Sequence, residues 1–156
     1  MKKFLLVMLM LSVGLFAVEI PLLNKNAVDP VYQLPLKNFK RFICEAKLDN
    51  GQVVQFVSVK SMMLVYFHQK HFKGTGFLSS NIKTMYVQEY LTGKRLKAQN
   101  AVYVFGSNLV QPKGEDLVPC RNMKYAKIFE NKYGGTKIVT FKEINKNLLD
   151  YLDLGY

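Results

Sequence analysis

The stretch from Thr84 to Ile144, TMYVQEYLTGKRLKAQNAVYVFGSNLVQPKGEDLVPCRNMKYAKIFENKYGGTKIVTFKEI, narrows the choice of fold more than any other part of the chain. It alternates short segments of β-branched and aromatic residues with turn chemistry. A single helical stretch, MKYAKIFENKY, follows a capping residue, Asn122, and ends on Gly134-Gly135, the left-handed stop of a helix. Met123, Ala126, Ile128 and Phe129 are expected to face inward from it. Short strands interleaved with a capped helix specify an α+β domain rather than a bundle or a sandwich.

The first half reads as a shorter version of the same plan. FICEAKLDNGQVVQFVSV gives two strands around Asn50-Gly51, a dipeptide that supplies the positive φ angles of a tight hairpin. Ser58 caps a helix that places Val59, Met62, Met63, Tyr66 and Phe67 on one face and runs on to Lys73-Gly74-Thr75-Gly76. The order strand, cap, helix occurs as QFVSVKSMMLVYF and again as VPCRNMKYAKIFE. The expectation is therefore two small β-β-α-β-like units packed together, at 42–80 and 81–144, followed by a C-terminal helix at 145–156. Residues 18–41 carry Pro21, Pro30 and Pro35 with little periodicity and read as an extended arm.

The N-terminus, MKKFLLVMLMLSVGLFAVEI, has two lysines, an apolar run from Phe4 to Val18 and a small residue at Ala17. That is the three-part pattern of a secretory signal, with residues 1–17 removed. An uncleaved membrane anchor is the alternative, but the run falls short of the roughly 20 residues a spanning helix needs. The chain is expected in the periplasm or secreted. Its net charge is +11. Export removes nucleic acid as a partner, so the basic surface faces an anionic membrane surface, an acidic protein patch, or solvent.

Residues suited to catalysis are scarce. No Ser/His/Asp order, paired carboxylate motif or phosphate-cradling glycine loop is present, and the chain does not read as an enzyme. His68 and His71, spaced i to i+3, would share one side of a helix and could hold a metal between them. Met62, Met63, Met85 and Met123 offer soft thioethers suited to Cu(I), but all lie in apolar stretches where methionine fills core. Cys44 and Cys120 are the two cysteines. A disulfide between them would close a loop of about 75 residues, worth about 4 kcal/mol on the chain-entropy model. Packing as free thiols among apolar neighbours is the equal alternative.

Several of these elements, in order and spacing, resemble the NosL family, the nitrous-oxide reductase accessory proteins, which are exported copper-binding chaperones. The resemblance runs from about Phe42 to Ile144. It is carried by DNGQVVQFVSVKSM, MYVQEYLTGKRLKA, AVYVFGS, QPKGEDLVP and YAKIFENKYGGTKIVTFKEI. It implies an accessory protein that assists maturation or copper supply of a periplasmic copper enzyme such as nitrous-oxide reductase. The family's ligand motifs are altered. Its Cys-Gly-Met falls on Tyr32-Gln33-Leu34, its Gly-Pro-Met-Gly loop on Gln111-Pro112-Lys113-Gly114, and its Phe-Asp-Ser on Phe56-Val57-Ser58. Lys113 puts a hydrated cation where the family has a soft donor. Copper would then need other ligands, with Cys44, Cys120, His68 and His71 as candidates. Without them the chain would be a binding module that works by protein or anionic-surface contacts through the Gln111–Gly114 loop.

Overall fold

A computed structural model describes residues 20–153. The signal peptide expected at 1–17 and the end of the expected C-terminal helix lie outside those residues. In chain order the elements are β1 (Cys44–Leu48), β2 (Val53–Phe56), α1 (Val59–Phe67), α2 (Gln69–Gly74), β3 (Ile82–Gln88) and β4 (Arg95–Lys97). Then follow β5 (Val102–Phe105), β6 (Val118–Cys120), α3 (Met123–Tyr133), β7 (Lys137–Thr140) and α4 (Lys146–Asp153).

The strands form two antiparallel sheets, ordered β2-β1-β3-β4 and β6-β5-β7. The α+β expectation of two β-β-α-β-like units holds, because β1-β2-α1-β3 and β5-β6-α3-β7 are built alike. In each, the first strand is central, the second lies on one side of it, and the third returns from the helix to the other side. Both helices open on the expected caps: Ser58 Oγ accepts from the Ser61 amide and Asn122 Oδ1 from the Tyr125 amide.

The boundary between the units differs from the expected 80/81. β3 pairs with β1, Glu45 opposite Tyr86, and β4 pairs with β3, so the first sheet takes in the chain as far as Lys97. Alternation within a strand says which side faces inward, not which strand lies beside it.

One core joins the sheets. Met62, Met63 and Val65 of α1, Ala46 and Met85 of the first sheet, Tyr103 and Phe105 of the second, and Leu149 and Leu152 of α4 belong to it. The opposite face of the second sheet, Val104, Val118 and Cys120, packs on Ala126 and Phe129 of α3. Met123 and Ile128, expected inward, are 51% and 45% exposed. The buried face of α3 instead runs through Ala126 and Phe129, with the rings of Tyr125 and Tyr133 packed beside them.

The helix expected to run on from Ser58 breaks at His68, whose φ −117° and ψ 31° separate α1 from α2. The arm is folded rather than extended. Val28 bridges to Pro35, and Ile20 and Leu36 pack with Ile43 in a small core of their own. Gln55 fastens it to the first sheet, accepting from the Leu23 amide and donating to the Pro21 carbonyl. Among the described residues no helix is long and apolar enough to cross a membrane.

Candidate functional site

Asp29 builds the site's first wall. This fully buried carboxylate accepts from the Val31 and Tyr32 amides at 3.0 and 2.8 Å through Oδ1. Its Oδ2 accepts from the Val57 amide at 2.9 Å and the Ser61 hydroxyl at 2.6 Å. The turn that carries Tyr32 is thereby bound to the junction of β2 and α1. Gln33 follows with φ 56°, the left-handed region. That conformation favours glycine, the residue that the family resemblance puts at this position.

The second wall is the loop from Gln111 to Asp116. Gly114 turns it with φ 66°, and Asp116 anchors it, its Oδ1 accepting from the Lys60 amide at 2.8 Å and from the Leu117 amide at 2.7 Å. The carboxylate thus sits against the N-terminus of α1, where the helix dipole favours negative charge. Burial nevertheless pushes its pKa up to about 6, against the opposing pull of the neighbouring Ser58 hydroxyl, the two amides and the Lys60 charge. Its Oδ2 and the amide nitrogen of buried Gln111 are buried without a hydrogen-bond partner in the protein.

Between the walls lies Lys60, fully buried. Its ammonium donates to the Lys113 carbonyl at 3.1 Å and the Leu152 carbonyl at 3.4 Å, and pairs with Asp153 Oδ1 at 2.9 Å. It also sits 5.5 Å from the centre of the Tyr32 ring. The Tyr32 hydroxyl donates to Asp153 at 3.3 Å. Its pKa is raised, chiefly by burial and then by the charges of Asp153, Asp116 and Asp29, so it stays protonated. Tyr32 and Lys113, far apart in sequence, meet at this ammonium. The Lys113 side chain is exposed, and Leu34 is half-buried, its carbonyl accepting from the Asp29 amide. Lys60 escapes a motif search. Its signal is a lone charge in the run VSVKSMML, two residues after the helix cap.

The other candidates lie apart. Cys44 belongs to the main core and Cys120 to the cluster on the far face of the second sheet, and both are free thiols. Burial raises both thiol pKa values, that of Cys120 to about 12, and each thiol donates to a nearby carbonyl, Phe42 and Val118 respectively. Because the thiolate is the reacting species, both thiols should resist a maleimide probe in the folded protein and react at once in denaturant. Rapid labelling of either under native conditions would contradict this placement. His68 occupies the break between α1 and α2, with Nδ1 at 2.9 Å from the Leu64 carbonyl, while His71 stacks edge-on against Phe72. The shared helical face that would pair the two imidazoles is interrupted. Among the described residues no three His, Cys, Asp or Glu side chains gather as a metal site.

The raised pKa of Asp116 gives a pH signature. The folded state binds this proton more tightly than the unfolded chain, in which aspartate titrates near 3.9. Its contribution to stability is therefore greatest below that pH, falls as pH rises to about 6, and is level above. Asp116→Asn should remove this component. Urea midpoints of the two proteins, compared from about pH 4 to pH 7, should diverge most steeply across that window, and parallel curves would count against it.

Twin ββαβ units, with the turn at Tyr32, the loop at Lys113 and the end of α4 meeting at the Lys60 ammonium, define the class, a small α+β scaffold. The NosL family model matches residues 22–149, and the chain belongs to that family. The match takes in the arm and Tyr32, beyond the Phe42 limit of the resemblance in the sequence. Among solved structures, the copper chaperone NosL from Shewanella denitrificans superimposes with a TM-score of 0.65 at 18% identity, covering 84% of this chain and 98% of that one. No curated protein sequence matches the chain.

The residues at the family's ligand positions do not fit Cu(I). They offer a protonated phenol, an aliphatic side chain and an exposed lysine, and the Lys60 ammonium lies against the Tyr32 ring and the Lys113 carbonyl, where Cu(I) selects thiolate and thioether.

Proposed function

We propose that this protein is an exported accessory factor that assists maturation of a periplasmic copper enzyme of the nitrous-oxide reductase type. It acts by contacting that enzyme or its assembly machinery, rather than by carrying copper between Tyr32 and Lys113, and it does no catalysis of its own. The family match over residues 22–149 supports the accessory role. The observation that sets copper aside at this position is Lys60, whose ammonium lies between the two segments on which the family's soft-ligand motifs fall.

The test has two arms. Producing nitrous-oxide reductase with and without this chain should change the copper content of the purified enzyme, and equal content would end the accessory reading. Titration of the reduced protein with Cu(I) against a competing chelator should show no tight site. Tight one-to-one binding, lost in the Cys44→Ser/Cys120→Ser double variant, would contradict the separate burial of the two thiols and make this chain a carrier.

A further inference from the structure

The cage around Lys60 has the composition of a cation site. Its donors are oxygens from separate parts of the chain: the Lys113 carbonyl from the loop, and the Leu152 carbonyl and Asp153 carboxylate from the last turn of α4. The face of Tyr32 closes another side. An ammonium has three N–H groups, and here each has an acceptor. The C-terminal end of a helix also carries negative partial charge, so α4 favours a cation beside its last carbonyls.

We propose that Lys60 is the resident cation of this cage: its ammonium holds, from within the chain, the position that the family resemblance assigns to a metal ion. The substitutions then agree with one another. Where the family has cysteine, Tyr32 offers a ring face that attracts an ammonium. Where it has methionine, Lys113 leaves only its carbonyl to the cage and turns its own charge to solvent. The positive charge is supplied covalently, so the site is complete without cargo, and α4 is held over it as a fixed part of the fold. Shortening Lys60 should open a site for a small alkylammonium ion. This inference is independent of the accessory role: a copper enzyme that matures normally without this chain would end that role and leave the cage unchanged.

Nitrogen-15 labelling of the lysine ammonium groups tests it in the unmodified protein. A buried, fully hydrogen-bonded ammonium exchanges its protons slowly, so one sharp Nζ resonance should stand out from the exchange-broadened remainder at neutral pH. It should be lost in Lys60→Met and unmoved by stoichiometric Cu(I) under reducing conditions, even if copper binds at the cysteines. Absence of a protected resonance, or its displacement by Cu(I), would overturn the proposal. Lys60→Ala supplies the complementary measurement. It should melt well below the parent and regain several degrees in n-propylammonium chloride, the ion that replaces the deleted atoms, but not in sodium chloride or n-propanol. Equal rescue by n-propanol would show an apolar cavity rather than a cation cage and would also overturn it. If Lys60→Ala does not fold, the Nζ resonance of the parent decides alone.

Discussion

Asp29→Ala is expected to cost about 3–5 kcal/mol of stability, because it strands several donors at once. The Asp29 carboxylate is fully buried and accepts four hydrogen bonds, two from its own turn and two from the Val57 amide and Ser61 hydroxyl. Val57 and Ser61 are buried too, so water cannot replace the lost acceptor without opening the arm. Each buried donor left unpaired costs about 1–3 kcal/mol, and two of them account for most of the expected loss. Asp29→Asn keeps an acceptor oxygen and should cost less, and Ser61→Ala, which removes one donor, should cost about 1 kcal/mol. Urea unfolding of the three variants would establish the order. A loss below about 1 kcal/mol in Asp29→Ala would mean that the arm is not bound where the hydrogen bonds place it. Limited proteolysis adds a second reading, since release of the arm should expose it to cleavage ahead of the remaining chain.

The local devices of the fold are readable in the residues themselves. Asn50-Gly51 turns the first hairpin, Gly51 having φ 86°, Ser58 and Asn122 cap their helices, and Gly134 ends α3 with φ 74°. Each depends on residues within a few positions, and their chemistry admits few alternatives. What could not be read depends on distant partners. The allocation of β3 to the first sheet is a choice between two similar central strands, made by pairing with Glu45 and Ala46 and not by the alternation of β3 itself. The break at His68 interrupts a sequence whose propensity would carry the helix further. The arm lacks periodicity because it holds no α-helix or strand. A buried carboxylate, one 3-10 turn and Gln55 hold it in place instead.

The site shows the same division. Tyr32 and Lys113 stand at the family's motif positions, and the structure places the ring of one and the carbonyl of the other beside one ammonium. Lys60 belongs to no such motif, and a lysine near a helix start ordinarily points to solvent. Its partners Tyr32, Lys113, Leu152 and Asp153 are all distant in sequence, and the last two reach it only through the docking of α4. The cysteines illustrate the converse. Their apolar neighbours were visible in sequence, but their opposite placement follows from strand faces: Cys120 shares its side of the second sheet with Val104 and Val118, while Cys44 faces the main core.

Glu89→Ala should be comparably damaging, with a loss of about 3–5 kcal/mol, because it breaks a buried ion pair on which the two halves are joined. Glu89 follows β3, is fully buried, and receives Arg121 Nε at 2.9 Å and Nη2 at 2.7 Å on Oε2, with the Arg121 amide on Oε1 and the Thr92 hydroxyl completing the set. Arg121 lies between β6 and α3 and stacks its guanidinium on the Tyr125 ring at 4.0 Å. The pair therefore links the end of β3 in the first sheet to the start of the helix that covers the second. Burial alone would raise the Glu89 pKa, but hydrogen bonds from Arg121 and Thr92 outweigh it and hold the carboxyl below its ordinary value. The sign of the pH effect follows. The stabilisation is present above the unfolded-state pKa of about 4.3 and is lost as pH falls towards the lower folded-state value. Glu89→Gln keeps the shape and one acceptor oxygen while removing the charge, so it should lose less than Glu89→Ala at neutral pH and lose the acid-dependent component. A double-mutant cycle with Arg121→Ala separates the pair from its surroundings. A coupling of several kcal/mol at pH 7 that shrinks in acid is the expected result. Additive losses would mean that the two halves are joined by core packing alone, with the ion pair contributing only its placement of Arg121.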